Sequence, residues 1–382
     1  MKKLYYEDCH LKEFSARVTG CTPVEGGWEI TLDATAFYPE GGGQPYDTGT
    51  LETVRVLSVR ERGEEIIHLC DDELPVGSEV TGRIHWQRRL DLMQQHTGEH
   101  ILSGLIHSTY GYHNVGFHMG AQTVEIDFDG MLTWEQALEL EHAANEAIWE
   151  NLPVECFVPP EADLANIPYR SKRALDWPVR IVRIPGIDCC ACCGVHTAFT
   201  GEVGIVKILS CAKFHSGVRL EIVCGSRAYR YLSEIFLQNR QISQLLSAKM
   251  PETYDAVARL SQVLSAEKQR SAALQNQVFS YLAESYVNCN NVLHFAENLT
   301  GGELRLLAEA ISDKCRGFAA VFSENAQGYG YCLAKPDGDL RELCKEMNRA
   351  LGGRGGGKPP VQQGSVTASR QEIADFFGKI TE

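Results

Sequence analysis

A multidomain α+β fold is predicted by three observations along the 382 residues. The first ~85 residues alternate short apolar runs with turn signals, as small barrels and sandwiches do. Residues 86–228 mix helical spacing with strictly alternating strands. Residues ~227–284 hold few glycines and keep helical spacing throughout. The pattern divides the chain into a small N-terminal β-barrel (1–88), an α+β unit (89–228), a helical hairpin or coiled-coil linker (229–286) and a C-terminal α/β unit (287–382).

In the first segment, Trp28–Leu32, Thr53–Leu57 and Glu65–Leu69 read as strands, separated by Gly26-Gly27, Gly41-Gly42-Gly43 and Pro75-Val76-Gly77. From Trp86 to Tyr110 the period turns helical through Leu90, Met93, Ile101 and Leu105, and Gly111 stands where a C-cap glycine would. Thr123–Phe128 alternates as a strand. Thr133-Trp134-Glu135-Gln136 has capping-box spacing for a helix reaching about Glu150. Further strands are expected at Val179–Val182 and Val203–Val206. Leu232, Ile235, Ile242, Leu245 and Leu246 mark one helical stripe, and Leu260, Leu264, Leu274, Val278 and Tyr281 a second. Pro251 between them predicts two helices, paired antiparallel, rather than one rod.

Composition excludes several classes. With 44% hydrophobic and 23% charged residues, the chain is neither disordered nor fibrous. No apolar run approaches the ~18–20 residues of a membrane helix, and the opening residues lack an apolar export core, so a soluble, cytoplasmic protein without membrane association is expected. The 14 cysteines then read as reduced thiols, some of them metal ligands. A net charge of −14 argues against indiscriminate nucleic-acid binding. The acidity is confined to residues 1–300, with 25 Lys and Arg against 39 Asp and Glu. Residues 301–382 hold 11 of each, which permits an RNA partner there.

Two ligand pairs carry the chemistry. His96 and His100 stand at i and i+4, the helical spacing that lets both imidazoles reach one metal. Cys192 and His196 repeat that separation, and together the pairs make a Cys-His₃ set suited to one zinc per chain. Competing readings are a structural zinc knot of Cys189, Cys190, Cys192 and Cys193, and redox use of their C-x-x-C spacings. His107 and His118 are further candidates with a plain pocket or core alternative. Glu99 within His96-x-x-Glu99-His100 also matches the inverted zinc-peptidase signature, where the glutamate is general base. That reading needs a downstream glutamate as third ligand and leaves Cys192 idle.

The neighbouring motifs identify a family. Ala36-Phe-Tyr-Pro-Glu-Gly-Gly-Gly-Gln-Pro-Tyr-Asp-Thr-Gly49 resembles the glycine-rich segment of the alanyl-tRNA synthetase editing region. His96-Thr97-x-x-His100 and Cys192-x-x-x-His196 look like its two zinc motifs. Gly201–Lys207 and Ser216–Glu221 are similar to the segments that follow. Gly352-Gly353-Arg354-Gly355-Gly356-Gly357-Lys358-Pro359 looks like the C-terminal domain shared with DHH phosphoesterases. The aminoacylation domain is missing, so the whole resembles the free-standing AlaX-type editing proteins in their long form.

That resemblance implies a zinc-dependent editing domain and a DHH-associated tRNA-binding domain. It also implies hydrolysis of seryl-tRNA(Ala), and with it glycyl-tRNA(Ala), as trans-editing. A non-catalytic tRNA adaptor with a structural zinc is the alternative. On this reading Gln44, Thr97 and Glu99 are catalytic candidates. Gly41, Gly42, Gly43, His118, Arg219, Arg354 and Lys358 are substrate-contacting candidates. The glycines allow close backbone approach, and the C-terminal loop is either a linker or a phosphate nest. Thr31 or Thr35 could read a serine hydroxyl. Because the family often has a small residue or threonine at Glu99, removing that carboxylate is expected to cost less than tenfold. The helical hairpin is a spacer or a dimerisation surface, with a homodimer forming through it or the C-terminal domain.

Overall fold

Alternating apolar side chains close the first strands on themselves. In the computed structural model of the chain, which describes residues 1–171, 175 and 177–380, six antiparallel strands form a closed barrel. Around it run Glu13–Val24, Gly27–Leu32, Glu65–Cys70, Val54–Arg62, Gly49–Leu51 and Glu79–Ile84. Its interior holds Phe14, Val18, Ile30, Leu32, Leu51, Val56 and Ile66, the inward members of each alternation.

Helix α1 (Trp86–Tyr110) follows and ends at Gly111, whose φ of 72° is the left-handed C-cap that glycine tolerates. Most of α1 is buried, polar residues included, because both flanks are covered. Helix α2 (Trp134–Trp149) starts from a complete Thr133–Gln136 capping box. Against these helices lies an antiparallel sheet in the order Val206–Phe214, Gly217–Cys224, Val124–Phe128, Asn114–Met119. Leu102, Ile106, Ile126, Leu140 and Ile222 form the shared core. A third sheet pairs Glu155–Phe157, Ile181–Ile184 and Asp188–Ala191, and the one-turn helix α3 (Glu161–Leu164) precedes its second strand.

One expected strand is displaced. Thr200–Val203 is a 3₁₀ turn, and the strand begins only at Val206. Gly204, at φ 80°, interrupts any extended run across Val203–Val206, and Glu202 caps the turn from Phe199.

Helix α4 (Gly225–Leu245) and helix α5 (Thr253–Glu284) are separated by a 3₁₀ turn at Met250–Glu252 that contains Pro251. The chain divides into two units within α4, Met1–Gln241 and Ile242–Glu382.

In the second unit, a five-stranded sheet runs Val292–Ala296, Ala319–Asn325, Gly328–Ala334, Val361–Val366, Arg354–Gly356, with only the first pair parallel. Helix α6 (Gly301–Ser312) and the end of α5 cover one face through Leu304, Leu307, Ile311 and Phe279. Helices α7 (Arg341–Ala350) and α8 (Arg370–Gly378) belong to the other core, with Phe322, Met347, Ile373 and Phe377. The glycine-rich segment is neither a free linker nor an open nest over 354–356. It is an edge strand paired with Gln363–Ser365, and a side chain at Gly355 would meet the Gln363 carbonyl oxygen at 2.3 Å. No helix among the described residues is long and apolar enough to cross a membrane.

A candidate metal centre and its cleft

The i,i+4 spacing on α1 sets His96 and His100 side by side, and the turn after Asp188–Ala191 brings Cys192 and His196 to them. The four donor atoms all lie within 4.8 Å of one another. His96 Nε2 is 3.4 Å and His196 Nε2 3.8 Å from Cys192 Sγ. The two far-apart pairs therefore meet in one buried cluster. Among the described residues, Cys189, Cys190, Cys192 and Cys193 form no such group, although Cys190 stands with His100 and Asp188.

Partners behind the imidazoles set which nitrogen faces the cluster. Gln44 Oε1 can only accept, so His96 Nδ1 donates to it at 2.8 Å and Nε2 faces the cluster. Asp188 Oδ2 accepts from His100 Nδ1 at 2.8 Å, and Arg170 holds that carboxylate through Nε at 2.8 Å and Nη2 at 3.0 Å. Such outer partners orient metal-binding histidines and raise their basicity. Burial raises the Cys192 thiol, but electrostatic interaction with the facing His96 and His196 rings and hydrogen bonding with His100 and His196 outweigh it and hold it well below the ordinary range. Burial, then the His96 charge, pushes His196 down to about 3. Thiolate and neutral imidazole are the forms a metal binds. His196 Nδ1, by contrast, has no hydrogen-bond partner among the described residues. The donor set fits a tetrahedral zinc.

Backbone geometry brings these side chains so close. Gly194 lies against His96, where a Cβ would stand 2.1 Å from the ring carbon Cε1. Gly41 and Gln44 exchange backbone hydrogen bonds across a tight turn, with Gly42 at φ 59° and Gly43 at φ 83°. A Cβ on Gly43 would stand 2.5 Å from the Phe117 ring, itself stacked on His96. Arg89, fully buried, clamps this segment by a bidentate pair with Asp47 and a 2.6 Å bond to the Ala36 carbonyl.

The cluster opens on a cleft of about 1010 Å³. Gly42, Gly43, Glu99, Phe117, Arg170 and Arg180 line it with His96, His100 and Cys192. Glu99 Oε1 accepts from Ser103 Oγ at 2.6 Å and Asn114 Nδ2 at 2.5 Å.

Other candidates stand elsewhere. Gln44 is not in the lining; it supports His96 and accepts the Val195 amide at 3.1 Å. Thr97 is buried, accepting from the Thr197 amide and hydroxyl. Phe117 lines the cleft, so alternation turns His118 to the opposite, exposed face. Arg219 lies outside the lining, paired with Asp127 and Glu125 and stacked over Phe214. Gly41 is taken up by the turn. Thr31 Oγ1 accepts from Thr19, and Thr35 Oγ1 bonds His68 inside the barrel; neither lines the cleft. Arg354 and Lys358 are exposed on the second unit. His107 lines the cleft, with its Nδ1 on the Tyr112 carbonyl. Sequence reasoning missed Arg170, Arg180, Asp188, Ser103 and Asn114. Ser103 stands one helical turn from Glu99, a spacing that could have found it. No spacing rule points to the other four, because α1, two sheets and the loops beside them bring them together.

Comparison with known proteins agrees with this geometry. Residues 5–88, which include Gln44, match the class II (A) tRNA synthetase family model. Residues 179–220, which include Cys192 and His196, match the threonyl and alanyl tRNA synthetase second additional domain. The chain is 28% identical to the alanyl-tRNA editing protein Aarsd1 of Danio rerio, over 94% of this chain and 93% of that one. It is 29% identical to the alanyl-tRNA editing protein AlaX-L of Pyrococcus horikoshii, over 98% and 97%. It is also 31% identical to the alanine–tRNA ligase of Ignicoccus hospitalis, over 99% of this chain but 42% of the ligase. Matched along nearly its whole length and nearly the whole of theirs, the chain is similar to the alanyl-tRNA editing proteins.

Proposed function

We propose that the protein is an aminoacyl-tRNA deacylase that hydrolyses the ester of mischarged tRNA(Ala), seryl-tRNA(Ala) first and glycyl-tRNA(Ala) with it, at a site holding one zinc. The observation that carries this reading is the buried Cys-His₃ cluster opening on a cleft large enough for an aminoacyl group and part of its nucleotide. His96, His100, Cys192 and His196 would hold the metal. Zinc bound there would supply Lewis-acid chemistry toward an ester or hydroxyl oxygen.

The chain's own residues do the rest. Gln44 and Asp188 fix two imidazoles in place, so the cluster needs little reorganisation. The Gly42–Gly43 turn lets backbone stand against the ligand without side-chain obstruction. Phe117 walls the cleft beside His96, its ring stacked on the imidazole. Selectivity for serine over alanine requires a polar partner for one hydroxyl, a device that discriminates by up to ~10⁴.

A peptidase reading is weakened because Cys192 and His196, not a glutamate, complete the set. Arg354 and Lys358 would contact the tRNA backbone, which reads shape rather than sequence. Exposed Leu260, Leu264, Leu274 and Val278 on α5 support a homodimer through the helices. The deciding experiment incubates zinc-loaded protein with Ser-tRNA(Ala), Gly-tRNA(Ala), Ala-tRNA(Ala) and a generic peptide. Release of serine with Ala-tRNA(Ala) spared supports the reading. Peptide cleavage, or no deacylation at full zinc occupancy, overturns it.

A further inference from the structure

Glu99 is only 6% exposed, yet one of its oxygens is uncommitted. Ser103, one turn along α1, and Asn114, on the first strand of the neighbouring sheet, both donate to Oε1. They also bond each other at 3.2 Å, so the carboxylate is held from two elements. Oε2 accepts no hydrogen bond from a described residue; its near neighbour is His100 Nε2 at 3.9 Å. Asn114 Oδ1, buried as well, also has no hydrogen-bond partner among the described residues. Among the described residues, the nearby cations are engaged elsewhere. Arg170 is forked on Asp188, and Arg180 donates to the carbonyls of Cys192 and Gly194. A buried carboxylate held by neutral donors, with acceptor capacity left over, is complementary to a cation.

We infer that Glu99, with Asn114 beside it, receives the α-ammonium of the aminoacyl group, and so makes the site selective for esters of free amino acids over N-acylated ones. The inference rests on the hydrolase reading. An α-ammonium is one carbon from the ester carbonyl, so both ends of the reacting group would meet neighbouring walls of one cleft. Glu99 is then a binding residue that determines specificity, and Ser103 and Asn114 are positioning residues. This gives Glu99 more than the family resemblance implied.

The test compares seryl-tRNA(Ala) with N-acetylseryl-tRNA(Ala) on the full, zinc-loaded chain. A lost charge-assisted hydrogen bond corresponds to about 10–100-fold. The wild type should prefer the free amine by at least that factor in kcat/KM, mainly through KM. Glu99→Gln should collapse the preference while keeping zinc content, and Ser103→Ala should reduce it in part. Equal slowing of both substrates by Glu99→Gln would assign the carboxylate to chemistry common to both and overturn the inference, as would a wild type indifferent to acetylation. Binding of a non-hydrolysable 3′-serylamido adenosine and its N-acetyl counterpart repeats the comparison without turnover. If the amine is preferred and Glu99→Gln abolishes that preference while no ester is cleaved, the recess stands and the hydrolase reading fails.

Discussion

At the scale of single residues, the cluster separates ligands from bystanders that look alike in sequence. Purified protein should hold about one zinc, and Cys192→Ala or His100→Ala should lower that content. Cys189→Ala and Cys190→Ala should leave it unchanged by metal analysis, since the donors that meet are His96, His100, Cys192 and His196. Zinc lost from the latter pair and kept by the histidine variants would restore the four-cysteine knot. Asp188 extends the same logic one shell outward, because it holds His100 Nδ1 and is itself forked by Arg170. Asp188→Asn should weaken zinc affinity about 10–100-fold in a chelator competition, the usual cost of losing such a partner. The His96/His100 pair was legible in the sequence because a helix places i and i+4 together by its own geometry, whereas Cys192 and His196 share the spacing but lie in the loop after Asp188–Ala191. Asp188 was not, because it reaches His100 across 88 residues of chain.

At the scale of elements, α1 is pressed against the strand that carries Asp188. A Cβ on Gly104 would stand 2.4 Å from the Ile187 carbonyl oxygen and 2.7 Å from Asp188 Cβ. Gly104→Ala should therefore destabilise the protein by about 1–3 kcal/mol in urea unfolding. It should also weaken zinc affinity, because the displaced residue is the one orienting His100. The barrel makes a separate pH prediction. His68 is fully buried between Thr35 and the Ile30 carbonyl, and burial pushes its pKa down to about 4 against the opposing effect of the Ile30 hydrogen bond. The unfolded chain takes up that proton near pH 6.5, so acidification favours unfolding. The contribution is fully present above about pH 6.5 and is lost as pH falls toward 4, amounting to about 3 kcal/mol. Unfolding at pH 7 and pH 4.5 should show the loss, and His68→Gln should flatten it. The capping box at Thr133 and the cap at Gly111 were readable because caps are local chemistry. The strand expected at Val203–Val206 was misread because apolar character alone cannot register Gly204 at positive φ.

At the scale of the whole molecule, charge is divided as the units are: Met1–Gln241 holds 21 Lys and Arg against 34 Asp and Glu, and Ile242–Glu382 holds 15 against 16. If Arg354 and Lys358 contact phosphate, the double alanine variant in the full chain should flatten the dependence of log affinity for tRNA on log salt by up to about two units. kcat/KM should fall far more than kcat, and zinc content should stay the same. An unchanged slope would remove the glycine-looped edge from the tRNA-binding surface. By itself, the sequence determined what depends on neighbours along the chain: helix and strand periods, the break at Pro251, caps, and two ligand pairs of short spacing, the first set by one turn of α1. Only the tertiary structure decided how the pairs meet, that His118 and Arg219 face away from the cleft, and that Ser103 and Asn114 anchor Glu99. It also made Gln44 a support for His96 rather than part of the cleft wall. Apart from Ser103, one helical turn from Glu99, and His118, turned away by strand alternation, these depend on contacts between residues 15 or more positions apart, where periodicity carries no information and packing of sheets against α1 sets the distance.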